Sequence, residues 1–301
     1  MKPNIYNYQL IQSNDALNIL SQKHPVFLYN VSLNPYSGCI YGCQYCYSIL
    51  DENIPNNYLP KIYVKTNLPY LFNKLATNKT NKEYNIALGT LYEPYQPAEK
   101  EFQLSRSCIE ICIKNEFPLI IFTKSEFILK DFDLLSKYSQ EGKCIIIVSI
   151  STIDNKLIKI FEPLAPTIKK RLNLLKHLKS KKILCCVALM PIIPYINDNY
   201  EQFDLLFRAI KNTGIEYIIP SVLVINKKTI RERFYKLLTK YFNKIIHRYD
   251  ALYDNDKMPS LTYGERIIQQ INELSKKYDL KLGLPIENYK FPNSINIGPL
   301  T

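Results

Sequence analysis

Six short apolar runs, each followed by a longer amphipathic segment, set what this chain can fold into. They are Val31–Tyr36, Asn85–Thr90, Pro118–Thr123, Cys144–Ser151, Ile183–Met190 and Ile215–Val224. Several are apolar almost throughout, as in CIIIVSI and ILCCVALM. Strands read this way when both faces are covered, which is the situation in a parallel sheet flanked by helices. Between the runs the period changes. Gln96–Lys114 turns Phe102, Ile109, Cys112 and Ile113 toward one helical face, and Ile168, Leu172, Leu175 and Leu178 do the same among lysines. Helices are also expected over Asn199–Asn212, Lys227–His247 and Tyr263–Lys277. Six β–α units in succession predict an α/β fold: a partial (open) parallel (β/α)6 TIM-like barrel with a C-terminal helical extension. The expected division is an N-terminal extension over 1–28, the barrel over 29–249 and a C-terminal extension over 250–301.

A chain of 301 residues, 47% of them hydrophobic, can bury one large core. The opening MKPNIYNYQL lacks the apolar stretch of a signal peptide, and the longest mostly apolar stretch, Ile183–Ile196, is too short to span a bilayer and holds two prolines. No membrane partner and a cytoplasmic location are therefore expected. There the eight cysteines read as reduced thiols or metal ligands rather than a disulfide framework. A net charge of +12 favours an anionic partner such as nucleic acid. The same charge also follows from a chain-wide abundance of lysine alongside asparagine, isoleucine and tyrosine.

In a parallel barrel the C-terminal ends of the strands meet at one mouth, where active sites lie. Polar residues gather at those ends: Thr90 and Glu93, then Thr123, Lys124 and Ser125, then Ser149 and Ser151, then Asn197 and Asp198. After the first strand comes NPYSGCIYGCQYCYS, with the spacing Cys39-x3-Cys43-x2-Cys46. Three thiolates on one short loop can take three corners of a cubane [4Fe–4S] cluster and leave the fourth iron open. Gly38 and Gly42 allow the backbone to fold tightly there. The competing reading is zinc, which wants four ligands where the loop offers three; His24 is the spare candidate.

The cysteine loop resembles the signature of the radical S-adenosylmethionine (radical SAM) superfamily, with Tyr45 at the aromatic position before the third cysteine. GTLYEPYQPAE, TKS followed by KD, VSIST, EPLAPTIKKRL and MPIIPYIND are similar, in order, to segments of its spore photoproduct lyase-like, "DNA repair photolyase" group. The resemblance runs from about residue 30 to residue 225. It implies a [4Fe–4S] cluster on Cys39, Cys43 and Cys46, with S-adenosyl-L-methionine chelated to the open iron and Tyr45 bordering its adenine. It also implies an external electron donor of flavodoxin or ferredoxin type. Reductive cleavage of the cofactor would give a 5′-deoxyadenosyl radical that abstracts hydrogen from substrate.

Within that frame Lys124 is the candidate catalytic residue, pairing with the cofactor's carboxylate or a substrate anion. Glu93, where the family often has Asp, would hold the cofactor's amino group or ribose. Ser149 and Ser151 share one face of their strand by period two and would meet the ribose or carboxylate if that face is inward. Arg171 either reaches the cofactor carboxylate or forms a structural ion pair with Glu162. Asn197 and Asp198 are expected to cap the helix that follows them. Cys108, Cys112, Cys144, Cys185 and Cys186 read as small buried hydrophobes. The stretch Lys227–Arg248 mixes cations with Phe234, Tyr235, Tyr241 and Phe242, either to track a nucleic acid or to present an aromatic core face and a solvated charged face. One departure leaves the substrate open. Within the group, genuine spore photoproduct lyase carries a hydrogen-returning cysteine at the end of the second strand, whereas here that stretch reads IALGTLYEP and no cysteine lies between Cys46 and Cys108. A nucleic acid, a peptide and a small molecule all remain substrate classes. The competing class of protein is an iron–sulfur electron carrier or a nucleic-acid-binding module without radical chemistry.

Overall fold

The structure, a computed structural model, describes residues 7–14, 17–48, 61–77, 84–225, 227–253 and 257–289. The strands are β1 Tyr8–Ile11, β2 Asn18–Ile19, β3 Val31–Leu33, β4 Tyr36–Ser37, β5 Ile62–Lys65, β6 Ile86–Leu88, β7 Leu119–Thr123, β8 Cys144–Ser149, β9 Cys185–Ile192, β10 Tyr217–Val222 and β11 Lys281–Leu282. The helices are α1 Leu68–Ala76, α2 Glu99–Phe102, α3 Leu104–Lys114, α4 Phe132–Gln140, α5 Asn155–Phe161, α6 Ile168–Ser180, α7 Tyr200–Lys211, α8 Lys228–Tyr241, α9 Ile246–Tyr253 and α10 Leu261–Tyr278.

The main sheet runs β11-β10-β9-β8-β7-β6-β3-β2. Its six central strands β3, β6, β7, β8, β9 and β10 are parallel, and they are the six apolar runs of the sequence. The fold is thus the expected open α/β barrel, extended by β11 parallel to β10 and by β2 antiparallel to β3. Strand alternation divides the core in two. Leu119, Ile121, Ile146, Val148, Val187 and Leu189 face the helices, while Ile120, Ile145, Ile147, Cys186, Ala188 and Ile219 form a separate interior cluster. Leu28, Leu284 and Tyr289 join that interior cluster. Leu28 lies just before β3, and Leu284 follows β11, which pairs with the first residues of β10. The interior is therefore filled from the N-terminal ends of the strands, and the C-terminal ends are left for a site. Among the described residues no helix is long and apolar enough to cross a membrane.

Four local expectations need correction. The single helix expected over Lys227–His247 ends at Tyr241, and a 3-10 turn over Asn243–Ile245 leads into α9. The first strand stops at Leu33; Pro35 breaks the run, and Tyr36–Ser37 cross into a small sheet of order β1-β5-β4. The single helix expected over Gln96–Lys114 is two, broken at Gln103 in the left-handed region at φ 49°. The break is fixed by the buried Glu99 carboxylate, which accepts from Ser105 N at 2.9 Å, Arg106 N at 3.1 Å and the Tyr36 hydroxyl. A side chain thus caps α3 from the preceding turn, satisfying amides that a helix start leaves open. Finally, Asn199 caps α7, accepting from Gln202 N at 2.9 Å. Asp198 instead accepts from Tyr263 at 2.9 Å and Arg266 at 3.1 Å, which docks α10 against the barrel.

Candidate functional site

The cysteine loop is gripped at both ends by other parts of the chain. At its start the Gln96 amide donates to Gly38 O at 3.1 Å and accepts from Ile40 N at 3.2 Å. Further on, Gln44 N donates to Phe161 O at 2.8 Å and Leu164 N to Tyr41 O at 3.3 Å. Cys46 N closes a turn onto Cys43 O at 3.0 Å. Both loop glycines have left-handed backbones, Gly38 at φ 87° and Gly42 at φ 60°. A Cβ on Gly38 would stand 2.4 Å from Lys61 O, whereas one on Gly42 meets nothing nearer than 3.9 Å. Gly38→Ala is expected to cost about 1–3 kcal/mol in strain alone, with more from the clash, and Gly42→Ala about 1–2 kcal/mol. Urea unfolding of the two variants would check the order.

The three thiols lie within electrostatic reach of one another. Cys43 is buried; Cys39 and Cys46 are partly exposed. Burial pushes the Cys39 thiol up to about 12, against amide hydrogen bonds from Tyr41 and Glu93 that work the other way. Ser48 N reaches Cys46 Sγ at 3.4 Å. Among the described residues no three His, Cys, Asp or Glu side chains stand together closely enough to hold a single metal ion. A cubane is wider than an ion, and its thiolates bind separate irons at separate corners. Amides directed at two sulfurs, a turn closed on itself and cations beside the thiols fit such a cluster. His24 is occupied elsewhere, its Nδ1 accepting from Val26 N at 3.3 Å and Phe27 N at 3.2 Å.

The residues that follow the strands converge on this loop unequally. Lys124, after β7, has its ammonium within electrostatic reach of Cys43, Glu162 and Glu93. Burial alone would lower its pKa; the neighbouring negative groups outweigh burial and raise it, so the side chain is a held cation. Among the described residues it has no hydrogen-bonded partner. Ser149 continues the interior face of β8 after Ile145 and Ile147 and sits beside Ala188 of β9.

The other candidates are spent on neighbours. Glu93 Oε1 accepts from Thr123 Oγ1 at 2.5 Å and Tyr95 N at 3.0 Å, and Oε2 from Lys124 N at 2.8 Å. Its carboxylate splices the end of β6 to the end of β7, and burial still leaves its pKa raised. Arg171 is fully buried. It donates to Glu162, to Pro166 O at 2.9 Å and to Ser149 O at 3.1 Å. Of the two roles read from the sequence for Arg171, the structure gives it the ion pair. Glu162 in turn accepts from the Tyr45 hydroxyl and from Ser151 Oγ at 3.3 Å. The aromatic residue before the third cysteine is therefore pinned to the loop after α5, while Ser151 turns to Glu162. Asn197 bridges Ser151 O at 2.8 Å and Ile193 N at 2.5 Å, a structural tie between β8 and β9. Thr90 binds Ser32 and, at 3.2 Å, Asn34.

Sequence reasoning missed three contributors: Gln96, Glu99 and Arg233. Arg233, on α8, donates to Cys43 O at 3.0 Å and Gln44 O at 2.6 Å. Gln96 and Glu99 lie in the segment GTLYEPYQPAE, but no spacing in it names their partners: those of Gln96 and Arg233 are far off in sequence, and Glu99 reaches forward across the break at Gln103 to Ser105 and Arg106. The five remaining cysteines are buried. On α8, Ile230, Phe234, Leu237 and Leu238 are buried while Lys236 and Lys240 are exposed, so its aromatic content at Phe234 is core rather than surface.

No family model matches the chain. A spore photoproduct lyase variant with bound AdoMet and dinucleoside spore photoproduct superposes with a TM-score of 0.67 at 13% identity, over 91% of this chain and 81% of that one. SuiB of Streptococcus suis bound to S-adenosylmethionine superposes with a TM-score of 0.56 at 12% identity, over 84% of this chain and 48% of that one. Both are radical SAM enzymes, and the chain has the radical SAM fold in its spore photoproduct lyase-like form. An uncharacterized protein of Methanocaldococcus jannaschii is 33% identical over 220 residues, 67% of this chain and 82% of that protein. The chain belongs to the same family as that archaeal protein.

Proposed function

We propose that the chain is a radical SAM enzyme. The observation that supports this reading best is three thiols within electrostatic reach of one another on the loop after β4, with the Lys124 cation, from the C-terminal end of β7, held beside Cys43. Cys39, Cys43 and Cys46 would hold a [4Fe–4S] cluster and leave one iron for S-adenosylmethionine. When bound, the pair would supply a 5′-deoxyadenosyl radical by one-electron reduction from an external donor of flavodoxin or ferredoxin type. The chain's own residues bind and orient. Lys124 offers a fixed positive charge to the cofactor's carboxylate, and Ser149 a hydroxyl on the interior face. Tyr45, pinned to Glu162, offers its ring as one wall for the adenine. Glu93 and Arg171 act at one remove, fixing the strand ends that present Lys124 and Ser149.

The substrate class is proposed more coarsely. The net charge of +12 favours an anionic substrate, nucleic acid among them. Among the described residues of the second strand and its exit, Ile86–Glu93, there is no cysteine to return a hydrogen atom. A reaction whose product takes its hydrogen from another donor fits better than direct repair of a thymine dimer.

Anaerobic reconstitution tests the reading. The loaded chain should bind about four iron and four sulfide and release 5′-deoxyadenosine when given dithionite and S-adenosylmethionine. An intact cluster that never cleaves the cofactor would instead indicate an electron carrier, and stoichiometric zinc in a colourless protein would remove the iron reading. Lys124→Met should keep its iron but bind S-adenosylmethionine about 10–100-fold more weakly, the size of a charge-assisted hydrogen bond of about 1.5–3 kcal/mol. Equilibrium binding to the loaded, unreduced chain measures that.

A further inference from the structure

We propose that Arg233 is a positioning residue for the cysteine loop: it clamps the turn between Cys43 and Cys46 and fixes a positive charge beside the cluster carried there. The clamp stands on geometry alone; the effect on a cluster rests on the reading in the preceding section.

One guanidinium nitrogen, Nη2, donates to two successive carbonyls, Cys43 O at 3.0 Å and Gln44 O at 2.6 Å. Cys43 O also accepts Cys46 N, so the same oxygen that closes the turn is held from outside by a cation. Hydrogen bonds from a charged donor are the stronger kind, and a planar fork loses little freedom in making them. The arginine itself is set by its neighbour in the helix. Phe234 is fully buried and stacks on Phe161 with ring centroids 6.2 Å apart. Phe161 O is the acceptor for Gln44 N at 2.8 Å. Helices α5 and α8 therefore grip one dipeptide of the loop from two directions, through its amide and its carbonyls.

A second observation points from Arg233 toward a ligand. Its Nε is buried and has no hydrogen-bond partner among the described residues. Burying a guanidinium donor without a partner is unfavourable, so a group that accepts from it belongs there. The side chain lies within electrostatic reach of Cys46 and Cys43, the two thiols of the turn. Net charge and hydrogen bonds to sulfur set the potential of an iron–sulfur cluster. A cation stabilises the reduced, more negative cluster over the oxidised one, so Arg233 should make the cluster easier to reduce.

Two measurements on the full chain test this with Arg233→Gln and Arg233→Lys. In the cluster-free protein, hydrogen exchange of amides 40–48 should speed about tenfold or more in Arg233→Gln, with exchange in β7 and β8 unchanged. Arg233→Lys should fall between it and the native chain. In the loaded protein, redox titration followed by electron paramagnetic resonance should find the Arg233→Gln cluster about tenfold less reduced at a fixed poise, which is about 59 mV for a one-electron couple. Arg233→Lys should keep the potential, because it keeps the charge. Loop exchange and potential both within twofold of native in Arg233→Gln would overturn the proposal. If Arg233→Gln fails to fold, a native-like loop and a shifted potential in Arg233→Lys would overturn it equally. A native chain that takes up no cluster would remove the reading of function while the exchange result still decides the clamp.

Discussion

Glu162→Gln should destabilise the chain by about 3–5 kcal/mol, the cost of leaving a buried charge uncompensated. The Glu162 and Arg171 side chains are both fully buried. Burial by itself would push the Glu162 carboxyl up, but Arg171 first and Lys124 second reverse that and hold it below its ordinary value of 4.5. A glutamine keeps the shape and the contacts with Tyr45 and Ser151, yet leaves the Arg171 cation inside the protein without its counter-charge. The double variant Glu162→Gln/Arg171→Met should cost clearly less than the sum of the two single changes, because the stranded charge goes with the arginine. The pH dependence has a fixed direction. A carboxyl held low in the folded chain contributes its full stabilisation above the unfolded value and loses it as pH falls through the lower folded value. The gap between native and Glu162→Gln unfolding midpoints should therefore be widest near neutrality and narrow below about pH 4.5. A gap under about 1 kcal/mol at pH 7, typical of exposed pairs, would show that the pair is dispensable to the fold.

Much of this architecture is legible in the sequence, for a physical reason. A parallel strand is covered on both faces, so CIIIVSI and ILCCVALM announce β8 and β9 without reference to anything else in the chain. The three-cysteine loop announces itself too, since Cys39, Cys43 and Cys46 lie within eight residues of one another. What the sequence hides are contacts whose two halves have no common spacing. Gln96 sits in the family-like segment GTLYEPYQPAE, but only the fold brings its amide to Gly38 and Ile40. Arg233 looks like one more surface cation on a basic helix until its carbonyl partners, 190 and 189 positions away, are known. Gln103 breaks a helical pattern with no glycine or proline, because Glu99 supplies the cap for α3 that local residues lack. Arg171 is the intermediate case. Its nine-residue spacing from Glu162 suggests a pair, but choosing between that pair and a cofactor needs to know that Pro166 O and Ser149 O take its other nitrogens.

Cys43→Ala should abolish formation of 5′-deoxyadenosine, by at least about 10³-fold or roughly 4 kcal/mol of barrier, together with loss of most bound iron. The loss would not come from unfolding. The Cys43 side chain is buried, yet the turn is held through its carbonyl, which an alanine retains: Cys46 N and Arg233 still have their acceptor. What disappears is one of three thiolates, and two cannot carry a cubane with one iron left open for a cofactor. Cys108→Ala and Cys185→Ala provide the contrast. Both are buried, Cys108 on α3 and Cys185 on β9, and each change should cost about 1–2 kcal/mol of packing while leaving iron and turnover intact. Iron content, circular dichroism and turnover measured on all three variants separate the alternatives. Full iron in Cys43→Ala would mean that another group ligates in its place and that the tripod is wrongly assigned. Equal iron loss in all three would mean that cysteine replacement merely loosens the barrel. Only selective loss at Cys43, with a native spectrum, fits a loop whose fold is held by backbone bonds and whose chemistry is held by sulfur.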